Sequence, residues 1–258
     1  IEPNNFKIEP QVFKLNCLNS NVALQKLVQI SDLHFTGKTS EKTINKILEA
    51  LKKHEPFAVF ITGDLIGNKK GIKPVIELLK KISQKTPIFI VFGNWDYSSL
   101  DYNMGDFKKE LNNAGAKVLV NELANIEVGD EIINLIGIDD SFVSPDVEGN
   151  LKKATQAIKD NDKNCKILLA HAPDVVKEAA KRGIDLVLVG HTHCGQVYIP
   201  FITEKMIPAN PDGKGFVKGL YRRGKTQLYV NRGLGTSLFP LNFRFLVPPE
   251  ITVITLEK

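Results

Sequence analysis

Five short motifs along the chain bring together side chains able to hold metal ions. They are Asp32 and His34 in "SDLHF", Asp64 in "TGDL", Asn94 and Asp96 in "VFGNWDYS", His171 in "LLAHAPD", and His191 and His193 in "VGHTHCGQ". Carboxylate, amide and imidazole groups are hard or borderline donors, and from separate loops they can converge on one point. In "DLH" and in "HTH" the paired residues are two apart, so an extended chain would aim both to one side. Asp32, His34, Asp64, Asn94, His171, His191 and His193 are more donors than one tetrahedral ion takes. A bridging carboxylate would share them between two ions, four to each. Any one fragment alone has a plainer reading, since a lone aspartate is usually a helix cap and a lone histidine a satisfied surface group. Five in order, each after an apolar run and mostly introduced by Gly or Ser, outweigh that reading. The remaining histidine, His54, sits on a helix flank, and Cys194 reads as a small buried residue with no base placed to activate it.

The elements that must carry these residues alternate. Strands are expected at "LVQIS", "FAVFITGD" and "IFIVFGN", separated by a helix capped by Ser40 with Ile44, Ile47, Leu48 and Leu51 on one face, and by a second with Val75, Ile76, Leu78, Leu79 and Ile82. A third helix ends at Gly115. Such repetition predicts a largely parallel sheet, whose ligands gather at the carboxyl ends of its strands. "AKVLVNE", "ANIEVGD" and "EIINLIGI" then follow closely, with a Gly129-Asp130 turn, and predict an antiparallel meander or hairpin in a second sheet. Helices over Lys152 to Lys159 and Asp174 to Arg182, with strands "KILLA" and "DLVLVG", restore the alternation. Strands are also expected at "QLYVN" and "EITVITLE". With no internal repeat or low-complexity segment, residues 1–258 read as a single domain in which 1–24 form an extended lead-in.

Bulk properties exclude several classes. The 258 residues are 43% hydrophobic, enough for a large core, and no run approaches the ~18 apolar residues of a membrane span. A net charge of +5 over this length is too small to imply nucleic-acid binding. Lys214, Lys218, Arg222, Arg223 and Lys225, beside Asp212, read as a solvated turn, with attraction for phosphate or anionic lipid as the second reading. Three cysteines without paired spacing imply no disulfide framework. The first residue is Ile1, which leaves room for an upstream signal or anchor.

The order DxH, GD, GN, H, GHxH, from Asp32 to His193, resembles the calcineurin-like metallophosphoesterase family. "NRGLGTS", "PPEITVITL" and the opening "IEP" resemble its bacterial YkuE-like subgroup, whose members often carry an N-terminal anchor or export signal. The resemblance implies an α/β fold, a four-layer α/β/β/α sandwich of two facing mixed sheets with outer helices. It also implies two divalent transition-metal ions, with manganese foremost and iron or zinc as the other choices. Asp32, His34 and His193 would hold the first ion, Asn94, His171 and His191 the second, and Asp64 would bridge them. Asp64, Asn94 and His171 would also serve the chemical step, with Asn94 able to donate to a phosphate oxygen. Asp96 and Asp174 would fix ligand histidines from behind, Asp174 doubling as the acid that opens a helix.

One position departs from the family. The third motif usually reads GNH, and its histidine is credited with protonating the leaving group. Here Trp95 stands in that place, and an indole N–H donates a hydrogen bond but delivers no proton. The resemblance therefore implies attack of a metal-bridging hydroxide on a phosphodiester or pyrophosphate, favouring good leaving groups. The phosphate-containing substrate would be a small molecule or lipid-linked, with peripheral membrane association or a cell-envelope location. Lipid A pathway enzymes that cleave UDP-2,3-diacylglucosamine also lack the motif histidine, so a pyrophosphatase of that class is an alternative. The apolar stretch "LFPLNFRFLVPP" (238–249) and the nearby basic cluster could serve such a substrate, although a core strand and a solvated loop explain them more simply. An alternative of another class is a metal-binding protein with little catalysis.

Overall fold

The computed structural model describes residues 6–18, 25–99, 103–196, 215–236 and 244–258. Its first sheet contains β1 (Lys7–Lys14), β2 (Lys26–Ile30), β3 (Ala58–Thr62), β4 (Ile88–Val91), β5 (Ala116–Val118) and β12 (Glu250–Glu257), in the order β1-β12-β2-β3-β4-β5. The second contains β6 (Glu122–Val128), β7 (Glu131–Gly137), β8 (Cys165–Leu169), β9 (Leu186–Val189), β10 (Gly219–Arg223) and β11 (Thr226–Val230), in the order β10-β11-β9-β8-β7-β6. β2 to β5 are mutually parallel, as are β7, β8, β9 and β11. Antiparallel β12 joins the first set, and antiparallel β6 and β10 flank the second.

Both sheets are covered on both faces, which is why their central strands are continuous apolar runs. Side-chain alternation divides the core into three layers. Val59 and Ile61 of β3 face the helices α1 (Glu41–His54), α2 (Ile72–Ser83) and α4 (Met104–Asn113). Ala58 and Phe60 of the same strand meet Ile133, Leu135, Ile167 and Leu188 of the other sheet. Ile136, Leu168 and Val187 pack against α5 (Val147–Thr155) and α6 (Val176–Lys181). The result is the expected α/β/β/α order. Ser40 caps α1 by accepting from Thr43 N.

Several local expectations are corrected. "AKV" forms β5 on the first sheet, where it extends the parallel set beside β4, and only β6 and β7 make the hairpin, turning at Gly129 (φ 62°) and Asp130. α5 starts five residues earlier than expected because Asp146 caps it, accepting from Gly149 N. The helix expected from Asp174 to Arg182 is a 3-10 turn, Pro173–Val175, followed by α6. β1 and β10 are edge strands whose mixed polar sequences carried no clear strand signal; each is recruited by a partner, β12 or β11. Cys17 and Cys165 form a disulfide although 148 residues apart in sequence. Of the basic cluster, Lys214 and the neighbouring Asp212 lie outside the described residues, as do 238–243 of the apolar stretch. Arg244 and Val247 of that stretch are buried, whereas Phe245 and Leu246 are exposed.

Candidate metal centre

All seven candidate donors lie just beyond the carboxyl ends of β2, β3, β4, β8 and β9. The paired residues reach the site differently from an extended chain. Asp32, His34, Asp64, His191 and His193 have φ of 52°, 45°, 52°, 69° and 48°, in the left-handed region that non-glycine residues seldom adopt. The loops after β2, β3 and β9 thus turn sharply as their strands end. Gly93 permits a close approach here: a Cβ would stand 2.3 Å from Asp64 Oδ1.

The donor atoms crowd together. His34 Nε2 is 3.0 Å from His193 Nε2, and His191 Nδ1 is 3.1 Å from His171 Nε2. Asp64 Oδ2 lies between the two groups, 3.4 Å from His34 Nε2 and 3.3 Å from His171 Nε2. His193 Nε2 is 3.4 Å from Asp32 Oδ1. Ligands about 2.1 Å from one ion stand roughly 3.0–3.4 Å apart along an octahedral or tetrahedral edge, so these spacings suit bound cations. Asn94 opens the short helix α3 (Asn94–Ser98), and its Oδ1 is buried without a hydrogen-bond partner among the described residues. That orphaned acceptor is explained by a cation, since a buried polar group otherwise needs a partner. Asp32, His34, Asp64 and His193 in particular form a buried cluster able to hold a metal ion.

Electrostatics agree with this reading at three of the four histidines. Burial pushes His34 and His191 down to about 4, and His193 well below its ordinary range with help from the neighbouring His34 and Arg244 charges. Neutral imidazoles are what a metal requires. His171 moves the other way: burial opposes its charge, yet the carboxylates of Asp64, Asp32 and Asp140 outweigh it. Asp32 is pushed up to about 6 by burial. Burial also penalises the Asp64 charge, but His171 and His34 pull it down to about 2. Nearby cations would reinforce the charged form of each carboxylate.

The supporting residues differ from those expected. Asp96 holds backbone rather than histidine: Oδ1 accepts from Leu65 N (2.8 Å) and Ile66 N (3.2 Å), and Oδ2 from Gly93 N (3.0 Å). Its carboxylate fits a nest of N–H groups that the two strand-end turns supply. Asp174 accepts from the Ser141 hydroxyl at 2.8 Å. His171 is instead oriented by the carbonyl of Thr62, 2.9 Å from Nδ1. Asp32 receives the His191 backbone N–H at 3.1–3.2 Å. Trp95 donates its backbone N–H to Asp64 Oδ1 at 2.8 Å, while its ring stands edge-on to His34 with centroids 5.5 Å apart. Buried Cys194 lies in the 3-10 turn that carries His193.

Two neighbours escaped sequence reasoning. Arg244, 1% exposed, places a guanidinium nitrogen 3.1 Å from His193 Nδ1 and anchors itself on the carbonyls of Arg232 and Gly235. It sits in an apolar stretch far from any motif and gave no signal. The "DDSF" turn after β7 brings Phe142 onto the His191 ring and buries Asp140. Here a signal existed, an acidic pair directly after an apolar run.

Comparisons with known proteins identify the family. An uncharacterized metallophosphoesterase of Bacillus subtilis (strain 168), YkuE, is 31% identical over 263 residues, covering 100% of this chain and 88% of its own. The phosphodiesterase YaeI of Escherichia coli (strain K12) is 27% identical, covering 94% and 86%. Among solved structures, the Haemophilus influenzae NAD nucleotidase NadN superposes with a TM-score of 0.53 at 13% identity, over 81% of this chain and 45% of that one. This last likeness concerns the fold alone. The profile of the Calcineurin-like phosphoesterase family matches residues 25–195, so the chain belongs to that family of metal-dependent phosphoesterases.

Proposed function

We propose that the protein is a dinuclear hydrolase of phosphodiester or pyrophosphate bonds. Asp32, His34 and His193 would hold one ion, Asn94, His171 and His191 the other, and Asp64 would bridge them. The observation that carries this reading is the position of Asp64 Oδ2, within 3.4 Å of a histidine nitrogen from each group. Two divalent cations in such a site lower the pKa of a shared water and neutralise phosphoryl oxygens during in-line displacement. Manganese is our first choice, with iron or zinc as the others, because mixed oxygen and imidazole donors fit all three.

The chain's own groups do the rest. The Trp95 backbone N–H fixes one oxygen of Asp64, leaving the other to face both histidine groups. The Asn94 amide can present its oxygen to an ion and an N–H to a phosphate oxygen. At the usual proton-donor position the indole of Trp95 contributes an apolar ring and no transferable proton. General acid catalysis typically supplies roughly 10²–10⁴-fold, so a substrate whose leaving group bears negative charge readily is favoured. A pyrophosphate qualifies, including one on a lipid such as UDP-2,3-diacylglucosamine, and so does an activated diester. The Cys17–Cys165 bond supports a cell-envelope setting, because disulfides persist in oxidising compartments. Exposed Phe245 and Leu246 favour a lipid-borne substrate and peripheral membrane association.

The test is reconstitution of metal-stripped protein with manganese, iron(II) or zinc. Metal stoichiometry would be followed together with hydrolysis of a phosphomonoester, an alkyl diester, bis-p-nitrophenyl phosphate and a UDP-sugar lipid. Two ions per chain are expected, with diester or pyrophosphate cleaved ahead of monoester. Trp95→His should raise the alkyl diester rate by up to about 10²-fold at constant metal content. Trp95 also motivates a second reading, a metal-binding protein with little catalysis. Tight metal with negligible turnover until Trp95→His is introduced would select it, and absence of stoichiometric metal would sink both.

A further inference from the structure

Phe142 is 66% exposed, and its neighbour Val143 is 43% exposed. Single exposed apolar residues need no special account, but this one is held in place. Its ring lies against His191 with centroids 4.7 Å apart and planes inclined by 30°. An edge of the same imidazole, Nδ1, faces His171 Nε2 at 3.1 Å. Phe142 therefore covers one flank of the donor cluster, as Trp95 covers the His34 flank.

The turn beneath Phe142 is costly to build. The Phe142 N–H donates to Asp140 Oδ1 at 2.9 Å, and the Ser144 N–H to the Asp140 carbonyl at 2.8 Å. Asp140 is fully buried, and its Oδ2 has no hydrogen-bond partner among the described residues. Its own N–H donates to Asp139 Oδ1, which also accepts the Tyr97 hydroxyl at 2.5 Å. Tyr97 belongs to α3, which carries Asn94 and Trp95. One network thus ties the shelf holding Phe142 to the turn holding Asn94. Burying a carboxylate is expensive, and a phenyl ring left largely in water forgoes the stabilisation that burial would return. A partly exposed aromatic ring held on such a turn beside a reactive centre repays the expense when another apolar surface covers it.

We infer that Phe142 is a substrate-positioning residue that packs against an aryl or other apolar substituent of the phosphate bound at the donor cluster. The inference rests on the phosphohydrolase reading above. With phosphorus at the cluster, a retained substituent that projects to the His191 side meets the Phe142 ring. Contact there would contribute to binding equally in the ground and transition states, so its signature belongs in KM.

The test compares bis-p-nitrophenyl phosphate with methyl p-nitrophenyl phosphate, two diesters with the same leaving group, on metal-loaded protein. The wild type should show the lower KM for the bis-aryl ester. Phe142→Ala should raise that KM roughly 3- to 30-fold relative to the methyl ester, with kcat changed by less than about twofold. Phe142→Tyr should retain the wild-type ratio. An unaltered KM ratio in Phe142→Ala, or a fall confined to kcat, overturns the inference. If the loaded wild type hydrolyses neither ester, the phosphohydrolase reading fails, and the role of Phe142 is then judged by calorimetric binding of phenylphosphonate against methylphosphonate. A preference for phenylphosphonate that is lost in Phe142→Ala upholds the role; equal affinities in the wild type refute it.

Discussion

Asp32, His34, Asp64, His191 and His193 occupy backbone conformations that each cost of order 1–3 kcal/mol, and such strain persists only where the surroundings over-determine it. Here the constraint is a set of short contacts among these five residues and their neighbours, including the His191 N–H on Asp32 and the Trp95 N–H on Asp64. Asp140 shows the same economy in its charge. Burial pushes its carboxyl up from 3.8 to about 6, against the attraction of His171. An acid whose folded pKa exceeds its unfolded value binds its proton more tightly when folded, so stability falls as pH rises between the two values and the penalty is complete above about pH 6. Asp140→Asn keeps the acceptor for the Phe142 N–H and removes the charge. In EDTA-treated protein it should exceed wild type by up to about 3 kcal/mol above pH 6, and match it near pH 4. Parallel profiles in denaturant unfolding across that range would show that Asp140 titrates normally.

At the scale of elements, the site depends on loops held to one another as much as on strands. Asp96 connects the turn after β4, through Gly93, to the turn after β3, through Leu65 and Ile66. Those turns carry Asn94 and Asp64. Asp96→Ala leaves three buried N–H groups unpaired, at about 1–3 kcal/mol for each group left unsatisfied. We expect a loss of roughly 3 kcal/mol in unfolding free energy together with weakened metal retention. Metal content and a chemical denaturation midpoint measured on the same preparation check this, and a variant that unfolds early yet keeps its full metal complement would separate the two roles.

For the molecule as a whole, the link between layers is covalent as well as hydrophobic. Cys17 follows β1 of the first sheet, and Cys165 begins β8 of the second, with Cα atoms 5.1 Å apart. The bond spans the interior where Phe13, Phe60 and Leu169 pack. Cross-linking residues so distant in sequence restricts the unfolded chain, and removing a disulfide of this kind costs about 2–4 kcal/mol. Cys17→Ser should lower stability by that amount under non-reducing conditions and should match the reduced wild type. Equal stability of the oxidised wild type and the variant would show that the thiols are not paired.

The periodic pattern of buried strands and amphipathic helices is legible in the amino-acid order alone, and with it two sheets with outer helices. It also brought the candidate donors to strand ends, because polar residues directly after an apolar run have nowhere else to go. Tertiary structure decided which side chains meet. "DLH" and "HTH" turn through left-handed backbone that two-residue spacing does not reveal, and Asp96 serves N–H groups 30 residues away. Arg244 reaches His193, Phe142 covers His191, and Cys17 meets Cys165 because stacking two sheets brings together segments remote in the chain. Local pattern follows from short-range sterics and burial, which each segment encodes for itself. Pairing across the site follows from packing between layers, which no segment encodes alone.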